Sequence, residues 1–450
     1  MIYEPHIECA PAEHLRLVQA SRLNTFLAEV AAYLPGYREF IVEAGLDRDL
    51  RTASDEEILA RFRSAGFTGS AAYVAIDAQA LRTLDKRLFF METTSGTTAA
   101  PKSRYATRED DLIDQRLLAR SFAAFGITSS QRVLTVDLGE LNMYALMTKA
   151  LADLGVYDSL FYCARKDFSR SMKEALACRP DVLITVPSVL ARSLSEFFDS
   201  LSAIPSLKKL IYYAEPLDEK IQQHLLREFG IESFSMYSSI ECGIIGAECE
   251  AHDGIHVWAD CILPGLNDSS PVKKAAFKNF GDDTLEGALG LTTMMYTGKP
   301  TLAYLIGDEV QYTEASCVCG RTMPRISFVQ RKTDVFSVFG TKFTYRQIHD
   351  VVYEHATVAS FLQVILEDVA NGTEMKLILP AEEGHGVNER RDEIYNALKS
   401  HPSMSFIVSH GVLDFKLEFV PADFFTSRKI RKVEDRRSGS TEPPTIQPLT

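Results

Sequence analysis

The sequence predicts an α/β protein in which a large N-terminal domain of layered βα units precedes a small C-terminal α+β domain. Two observations carry that expectation. Short apolar runs alternate with helix-like patterns through most of the chain, as strands covered by helices do. Beyond about Asp334 the texture changes to three strand-like runs grouped around one amphipathic segment. A length of 450 residues also exceeds what a single hydrophobic core ordinarily serves.

Taken in order, "RVLTVDL" (Arg132–Leu138), "DVLITVPSVL" (Asp181–Leu190) and "LKKLIYYAEP" (Leu207–Pro216) read as strands. "LDEKIQQHLLREFG" places Ile221, Leu225 and Phe229 on one helical face, carries acidic residues early, and ends at Gly230, where a left-handed cap stops a helix lying on a sheet. In the C-terminal part, "FLQVILEDV", "EMKLILP" and "FKLEFVP" are strand candidates around the helical "NERRDEIYNALKSH". The expected division is residues 1–330 for the large domain and 331–436 for the small one. Residues 437–450, rich in Ser, Thr and Pro with little to bury, are expected to be a disordered tail.

Charge and hydropathy narrow the function classes. Acidic residues number 61 against 48 basic, and the net charge of −13 argues against nucleic acid or an anionic membrane as partner, leaving a small molecule. No apolar run reaches the ~18 residues of a membrane span, and the first residues lack a signal-peptide pattern, so a cytoplasmic location is expected. The eight cysteines are too sparse for a disulfide scaffold and read as buried thiols, with a subset spaced for another purpose. A homodimer is compatible with the sequence and not specified by it.

"METTSGTTAAPKSRY" (Met91–Tyr105) raises the first chemical question. Hydroxyls and backbone N–H groups around Gly96 suit phosphate oxygens, with Lys102 adding charge, yet a solvated hydroxyl-rich turn has the same composition. The segment lacks the Walker pattern.

Later segments decide between these readings. "TSGTTAAPK" resembles the phosphate loop of the adenylate-forming superfamily of acyl-CoA synthetases, adenylation domains and luciferases, with Ala99 where that family prefers glycine. In the same order, "YYAEP" (Tyr212–Pro216) resembles its adenine-binding segment, and "MYSSIECG" (Met236–Gly243) its Y-G-x-[ST]-E motif. "YLIGD" (Tyr304–Asp308) resembles Y-R-T-G-D, "VQRKTDV" (Val329–Val335) the hinge, and "SRKIRKVED" (Ser427–Asp435) the segment carrying the terminal lysine. Within the superfamily the likeness is greatest to phenylacetate-CoA ligases, through "LPGYREFIVEAGL", "AECEAHDGIHVWAD" and "CVCGRTMPRI", and it spans roughly residues 30 to 436.

That resemblance implies an ATP-dependent, AMP-forming ligation in which a carboxylate attacks the α-phosphate, so charge has to be neutralised and geometry fixed. Thr94, Ser95, Gly96, Thr97, Thr98 and Lys102 would hold phosphates, Ala214, Glu215 and Tyr237 the adenine region, and Glu241 a Mg²⁺ ion. Asp308 would accept hydrogen bonds from the ribose hydroxyls, Arg331 would touch the ribose or phosphates, and Asp334 would be the pivot of the small domain. Lys429 is the expected mobile catalytic lysine, and "RKIRK" offers Lys432 as its alternative. Departures from the motifs, such as Ser238, Ile240, Leu305 and Ile306, suggest a more apolar pocket wall. Tyr144, Pro187, Tyr237 and Ser238 are candidates for binding an aromatic acid.

Cys249, His256, Cys317 and Cys319 supply three thiolates and one imidazole, a tetrahedral zinc set of structural type that the family resemblance supports. Cys242, Cys261 and His252 are nearby competitors. Three functions remain open: acyl transfer from the adenylate to coenzyme A, transfer to an amine to give an amide, and a non-catalytic nucleotide-binding homologue.

Overall fold

The computed structural model describes residues 1–437 apart from 29–33, 48–53, 77–87, 94–101, 138–140, 165–167, 192, 273–283, 332–333, 339–340, 355–360, 370–371, 382–386, 402–403, 406–407, 409–412, 422–423 and 425–431. Contacts divide it into two units. The first contains Lys102–Leu217 and Leu225–Val329 with the described residues that precede them. The second contains the described residues from Gln330 onward together with Asp218–His224.

In the first unit, helices within residues 5–75 precede β1 (Leu88–Thr93), which pairs antiparallel with β2 (Ser103–Thr107). The unit's main element, among the described residues, is an eleven-stranded sheet. Four neighbouring strands of that sheet, β3 (Val133–Asp137), β4 (Ser159–Cys163), β5 (Val182–Thr185) and β6 (Lys209–Tyr213), are mutually parallel, and β7 (Glu232–Ser239) extends them in parallel beside β6. β3 and β5 are buried along their whole length, as continuous apolar strands of a parallel sheet covered on both faces must be.

From β7 the chain turns antiparallel into β8 (Gly243–Glu248) and β9 (Ile255–Val257). The sheet continues through β10 (Ile262–Pro271), β11 (Leu285–Thr293), β12 (Tyr304–Thr313) and β13 (Arg325–Arg331), the last pairing with β9. The sheet order is β10-β11-β12-β13-β9-β8-β7-β6-β5-β3-β4. The chain leaves β3 toward β4 on one side, then returns to β5, β6 and β7 on the other. The order therefore reverses between β3 and β5, and open parallel sheets bind ligands outside the carboxyl ends of their strands at such a point.

One expected strand is shorter than its sequence suggested. "DVLITVPSVL" is extended only to Thr185, and Pro187 opens a helix, Pro187–Ala191. Proline suits that first helical position, since the N–H it lacks would have no intrahelical acceptor there. The helix expected before Gly230 is present as Glu219–His224, continued by a π-turn at Leu225–Phe229. Ile221 and Leu225 are buried, and Gly230 has φ +63°. Among the described residues no helix is long and apolar enough to cross a membrane.

The second unit carries a β14 (Val335–Val338) and β15 (Thr341–Thr344) hairpin, followed by helix Tyr345–Val352, whose start is fixed by a capping box of Thr344 and Gln347. A four-stranded sheet in the order β18-β17-β16-β19 follows, with β16 (Gln363–Val369), β17 (Gly372–Pro380), β18 (Leu413–Val420) and β19 (Val433–Asp435). Helix Val387–Ser400 lies between β17 and β18 in the chain. Ile348, Val364, Leu366, Leu377 and Leu398 form a core separate from those of the first unit. Asp218–His224 joins this unit through the Lys220 ammonium, which donates to the backbone carbonyls of Tyr353 and Glu354.

Candidate active site

Lys102 immediately precedes β2, Glu241 sits in the turn from β7 to β8, and Tyr304 opens β12. The fold brings these sequence-distant residues together. The Lys102 ammonium donates to Glu241 Oε1 at 2.7 Å and to the Tyr304 hydroxyl at 2.6 Å, and that hydroxyl donates to the same Oε1 at 3.1 Å. Glu241 and Tyr304 are buried. Burial first, and the Glu241 carboxylate second, raise the Tyr304 phenol above its ordinary value, so it stays a protonated donor. The result is a partly buried cation and anion held in fixed register by a phenol.

A second pair lies on the same sheet. Tyr237 donates to Asp308 Oδ2 at 2.6 Å, and its ring meets Phe328 edge-on at 4.7 Å. Asp308 is buried and follows Gly307, whose φ of +96° requires the freedom of glycine.

Several other expected residues, with Asp137 beside them, lie at or just beyond the carboxyl ends of the parallel strands. Asp137 closes β3 and accepts a hydrogen bond from Tyr213 at 2.8 Å. Pro187 is buried just beyond β5, while Ala214 and Glu215 follow β6, with Ala214 at φ +66°. Ser238 is half-buried near the end of β7. Tyr144, half-buried on helix Leu141–Asp153 after β3, packs on Phe161 with ring centroids 4.5 Å apart. Tyr144 and Pro187 thus belong to the connections that follow β3 and β5, the two strands flanking the reversal of sheet order.

Cys249, His256, Cys317 and Cys319 form a separate cluster in which one ligand atom from each lies within 4.8 Å of the others. Cys249 Sγ is 3.8 Å from Cys317 Sγ, and Cys319 Sγ is 3.5 Å from His256 Nε2. A tetrahedron with metal–sulfur bonds of about 2.3 Å has edges of about 3.7 Å, so the donor set fits a zinc ion. His256 Nδ1 faces the Met323 carbonyl at 3.4 Å, which orients Nε2 inward. Hydrogen bonding from Cys249, then from Cys317, holds the Cys319 thiol well below the ordinary range, with His256 adding to the effect. Arg321 also donates to Cys319 Sγ at 3.7 Å and is itself tied to Glu8 at 2.6 Å. The competing residues lie elsewhere: Cys242 contacts Thr301, Cys261 contacts Asp260, and His252 stacks on Phe234.

Comparison with known proteins places this architecture. No family model matches the chain. A phenylacetate-coenzyme A ligase of Thermus thermophilus is 28% identical over 397 residues, covering 84% of each chain, and one of Escherichia coli is 24% identical over 431 residues, covering 92% and 94%. The structure of 2-hydroxyisobutyryl-CoA ligase in the postadenylation state, in complex with R3-HIB-AMP, has a TM-score of 0.74 at 18% identity, covering 96% of this chain and 92% of that one. This chain has the fold of that CoA ligase and is similar over most of its length to the two phenylacetate-coenzyme A ligases. ATP-bound MatB from Rhodopseudomonas palustris shares the fold more distantly, with a TM-score of 0.52 at 16% identity over 74% of this chain and 64% of its own.

Among the expected site residues, Thr94, Ser95, Gly96, Thr97, Thr98 and Lys429 lie outside the described residues. Arg331 ends β13, and its side chain also lies outside them. Asp334 is half-buried immediately before β14. Sequence reading missed Tyr304 although it opens the "YLIGD" segment, because the motif drew attention to Asp308 alone. It also missed Arg321, whose place in "CVCGRTMPRI" between two cysteines and a buried strand was the available signal.

Proposed function

We propose that this AMP-forming acid–CoA ligase adenylates an aryl or arylacetic acid and passes the acyl group to coenzyme A. The observation that carries the reading is the Lys102–Glu241 pair locked by Tyr304, beside the Tyr237–Asp308 pair. Lys102 and the Thr94–Thr98 loop hold the β- and γ-phosphates, and Asp308 accepts from the ribose hydroxyls, with Tyr237 fixing its orientation. The acid carboxylate attacks the α-phosphorus and pyrophosphate leaves; the CoA thiolate then attacks the acyl carbonyl and AMP leaves. Glu241 is the residue that would hold Mg²⁺, a hard cation suited to carboxylate and phosphate oxygens, which supplies charge neutralisation at the phosphates when bound. Both hydrogen bonds to Glu241, from Lys102 and Tyr304, converge on Oε1.

Tyr144 and Pro187, in the connections after β3 and β5, are assigned to the acid because the reversal of sheet order supports a ligand there. Lys429 is assigned as the mobile lysine in preference to Lys432. Lys432 adjoins β19, its carbonyl accepts from Val364 N at 2.8 Å, and its ammonium lies 5.0 Å from the Tyr345 ring centroid. Those contacts fix Lys432 within the second unit. Asp334 is assigned as the pivot, close to the division of units between Val329 and Gln330. The Cys249, His256, Cys317 and Cys319 set is assigned to structural zinc, its four protein donors closing the coordination shell.

The test is acid-dependent exchange of labelled pyrophosphate into ATP across aryl, arylacetic and short aliphatic hydroxy acids, followed by mass analysis of products with CoA or amines. Exchange strongest with aryl or arylacetic acids, and an acyl-CoA product, are expected. Exchange with aliphatic acids alone overturns the substrate class, amide product overturns the acceptor, and no exchange by folded protein overturns the ligase reading. Lys429→Ala is expected to abolish exchange while retaining ATP binding, and a wild-type rate would return the role to Lys432. Freshly purified protein is expected to hold about one zinc per chain, and Cys317→Ser to lower both zinc content and melting temperature. Zinc-free wild type with Cys317→Ser equally stable would remove the metal site.

A further inference from the structure

Beneath the Lys102–Glu241 pair lies a buried polar cluster that none of the motifs contains. Arg104 stands two residues after Lys102 on β2, and its guanidinium donates to Asp114 Oδ2 at 2.6 Å and sits 3.7 Å from Glu92. Tyr296 donates to the other oxygen of Asp114, and its ring lies 4.9 Å from the Arg104 guanidinium. Arg104, Asp114 and Tyr296 are 5%, 2% and 3% exposed. Burial works to lower the Arg104 pKa, but Asp114 and then Tyr296 outweigh it and raise the value, so the guanidinium is charged at every working pH.

The same three side chains press on Gly243, two residues after Glu241. A Cβ added there would come within 2.4 Å of Asp114 Oδ1, 2.7 Å of the Tyr296 hydroxyl and 3.1 Å of an Arg104 nitrogen, at a φ of +66°. The turn that presents Glu241 therefore rests directly on the cluster, as does the strand that follows Lys102. Across the turn, the Cys242 N–H donates to Ser239 Oγ at 3.0 Å.

We propose that Asp114 is a positioning residue for adenylation, setting Lys102 through Arg104 and Glu241 through the Gly243 turn, with Tyr296 as its partner. Two segments separated by more than a hundred positions are registered by one carboxylate, so the distance between the cation and the anion of the site is set from below. This rests on the adenylation reading above for its kinetic consequence, and on geometry alone for the registration. Misplacement on the order of 1 Å at a reacting centre costs about 10²-fold in rate.

The test combines kinetics with hydrogen exchange on the full chain. Asp114→Asn is expected to lower kcat for pyrophosphate exchange about 10²-fold with a smaller change in KM for ATP. Tyr296→Phe, the milder variant, is expected to lower it about 10-fold, a tenth of that effect in ratio. Tyr353→Phe is the control, since it also removes one phenol hydrogen bond of a buried tyrosine, to the Phe361 carbonyl at 2.8 Å, but belongs to the core of the second unit. It is expected to shift the melting temperature comparably and leave kcat unchanged. In Tyr296→Phe, peptides spanning β2 and the β7–β8 turn are expected to lose protection together while β5 and β6 keep theirs. Equal kinetic effects of Tyr296→Phe and Tyr353→Phe, or loss of protection in only one or neither of the two segments, would overturn the proposal. If the wild type exchanges with no acid, the ligase reading falls, and the hydrogen-exchange result alone still decides the registration.

Discussion

At the level of single residues, the site's unexpected member is Tyr304. Its hydroxyl receives a hydrogen bond from Lys102 at 2.6 Å and donates to Glu241 at 3.1 Å, so it bridges an ion pair already in direct contact at 2.7 Å and fixes its geometry. Hydrogen bonds to charged groups contribute about 1.5–3 kcal/mol each. Tyr304→Phe is expected to slow pyrophosphate exchange by roughly 10- to 100-fold, on the premise that one such bond matters in the transition state. Steady-state exchange at saturating ATP checks this; an unchanged kcat would assign Tyr304 to packing alone. Lys102, Glu241, Tyr237 and Asp308 were legible in the sequence because each stands in a short motif with a charge or phenol at a fixed offset. Their pairing was not legible, because a hydrogen bond joining residues 102 and 241 depends on how β2 and the β7–β8 turn are placed, and nothing local encodes that.

Turns and strands show the same division. Three of the parallel strands, β3, β5 and β6, were readable from continuous apolar runs, and Gly230 from its position after a helical face, since these signals come from local burial and local backbone freedom; β4 and β7 were not. "DVLITVPSVL" was misjudged in its second half because apolar content does not separate a buried strand from a buried helix; Pro187 decides it by favouring a helical first turn. The buried polar cluster under the β7–β8 turn was invisible for a different reason: Arg104, Asp114 and Tyr296 look like ordinary surface residues until tertiary packing covers them. The turn itself yields a comparison. Gly243 and Gly307 both have positive φ, but a side chain at Gly243 would meet Asp114 and Tyr296, whereas at Gly307 nothing lies within 4 Å. A strained non-glycine conformation alone costs about 1–3 kcal/mol. Gly307→Ala is expected to stay within that range, and Gly243→Ala to exceed it and to reduce activity as well. Urea unfolding midpoints of the two variants measure the difference; equal losses would show that the turn can yield to an extra carbon.

The stability of the first unit as a whole hangs on a second buried network, which joins its N-terminal segment to the sheet. Asp260, fully buried between β9 and β10, receives the Arg120 guanidinium at 2.6 and 3.1 Å and that of Arg22 at 2.8 Å, while Arg120 also binds Glu4. Burial alone would raise the Asp260 pKa, but hydrogen bonding and charge from Arg120, and then Arg22, outweigh it, and the value is lowered. A carboxylate whose folded pKa lies below its unfolded value of about 3.9 contributes stability that is fully present above that pH and is lost as pH falls through the folded value. The unit is therefore expected to weaken in acid below about pH 4, with Asp260 a principal cause. Asp260→Asn leaves the Arg120 charge buried with only Glu4 against it, and breaking a buried pair in this way costs about 3–5 kcal/mol. At neutral pH the variant should melt well below the wild type. The gap should hold from pH 7 to about pH 4 and narrow below it, because the unfolded wild type then takes up a proton at this carboxylate that the folded state resists, and the variant has no such group. Thermal midpoints across that range decide the matter: parallel curves for the two proteins would mean that the Asp260 pKa does not differ between the folded and unfolded chain and that other carboxylates govern acid unfolding.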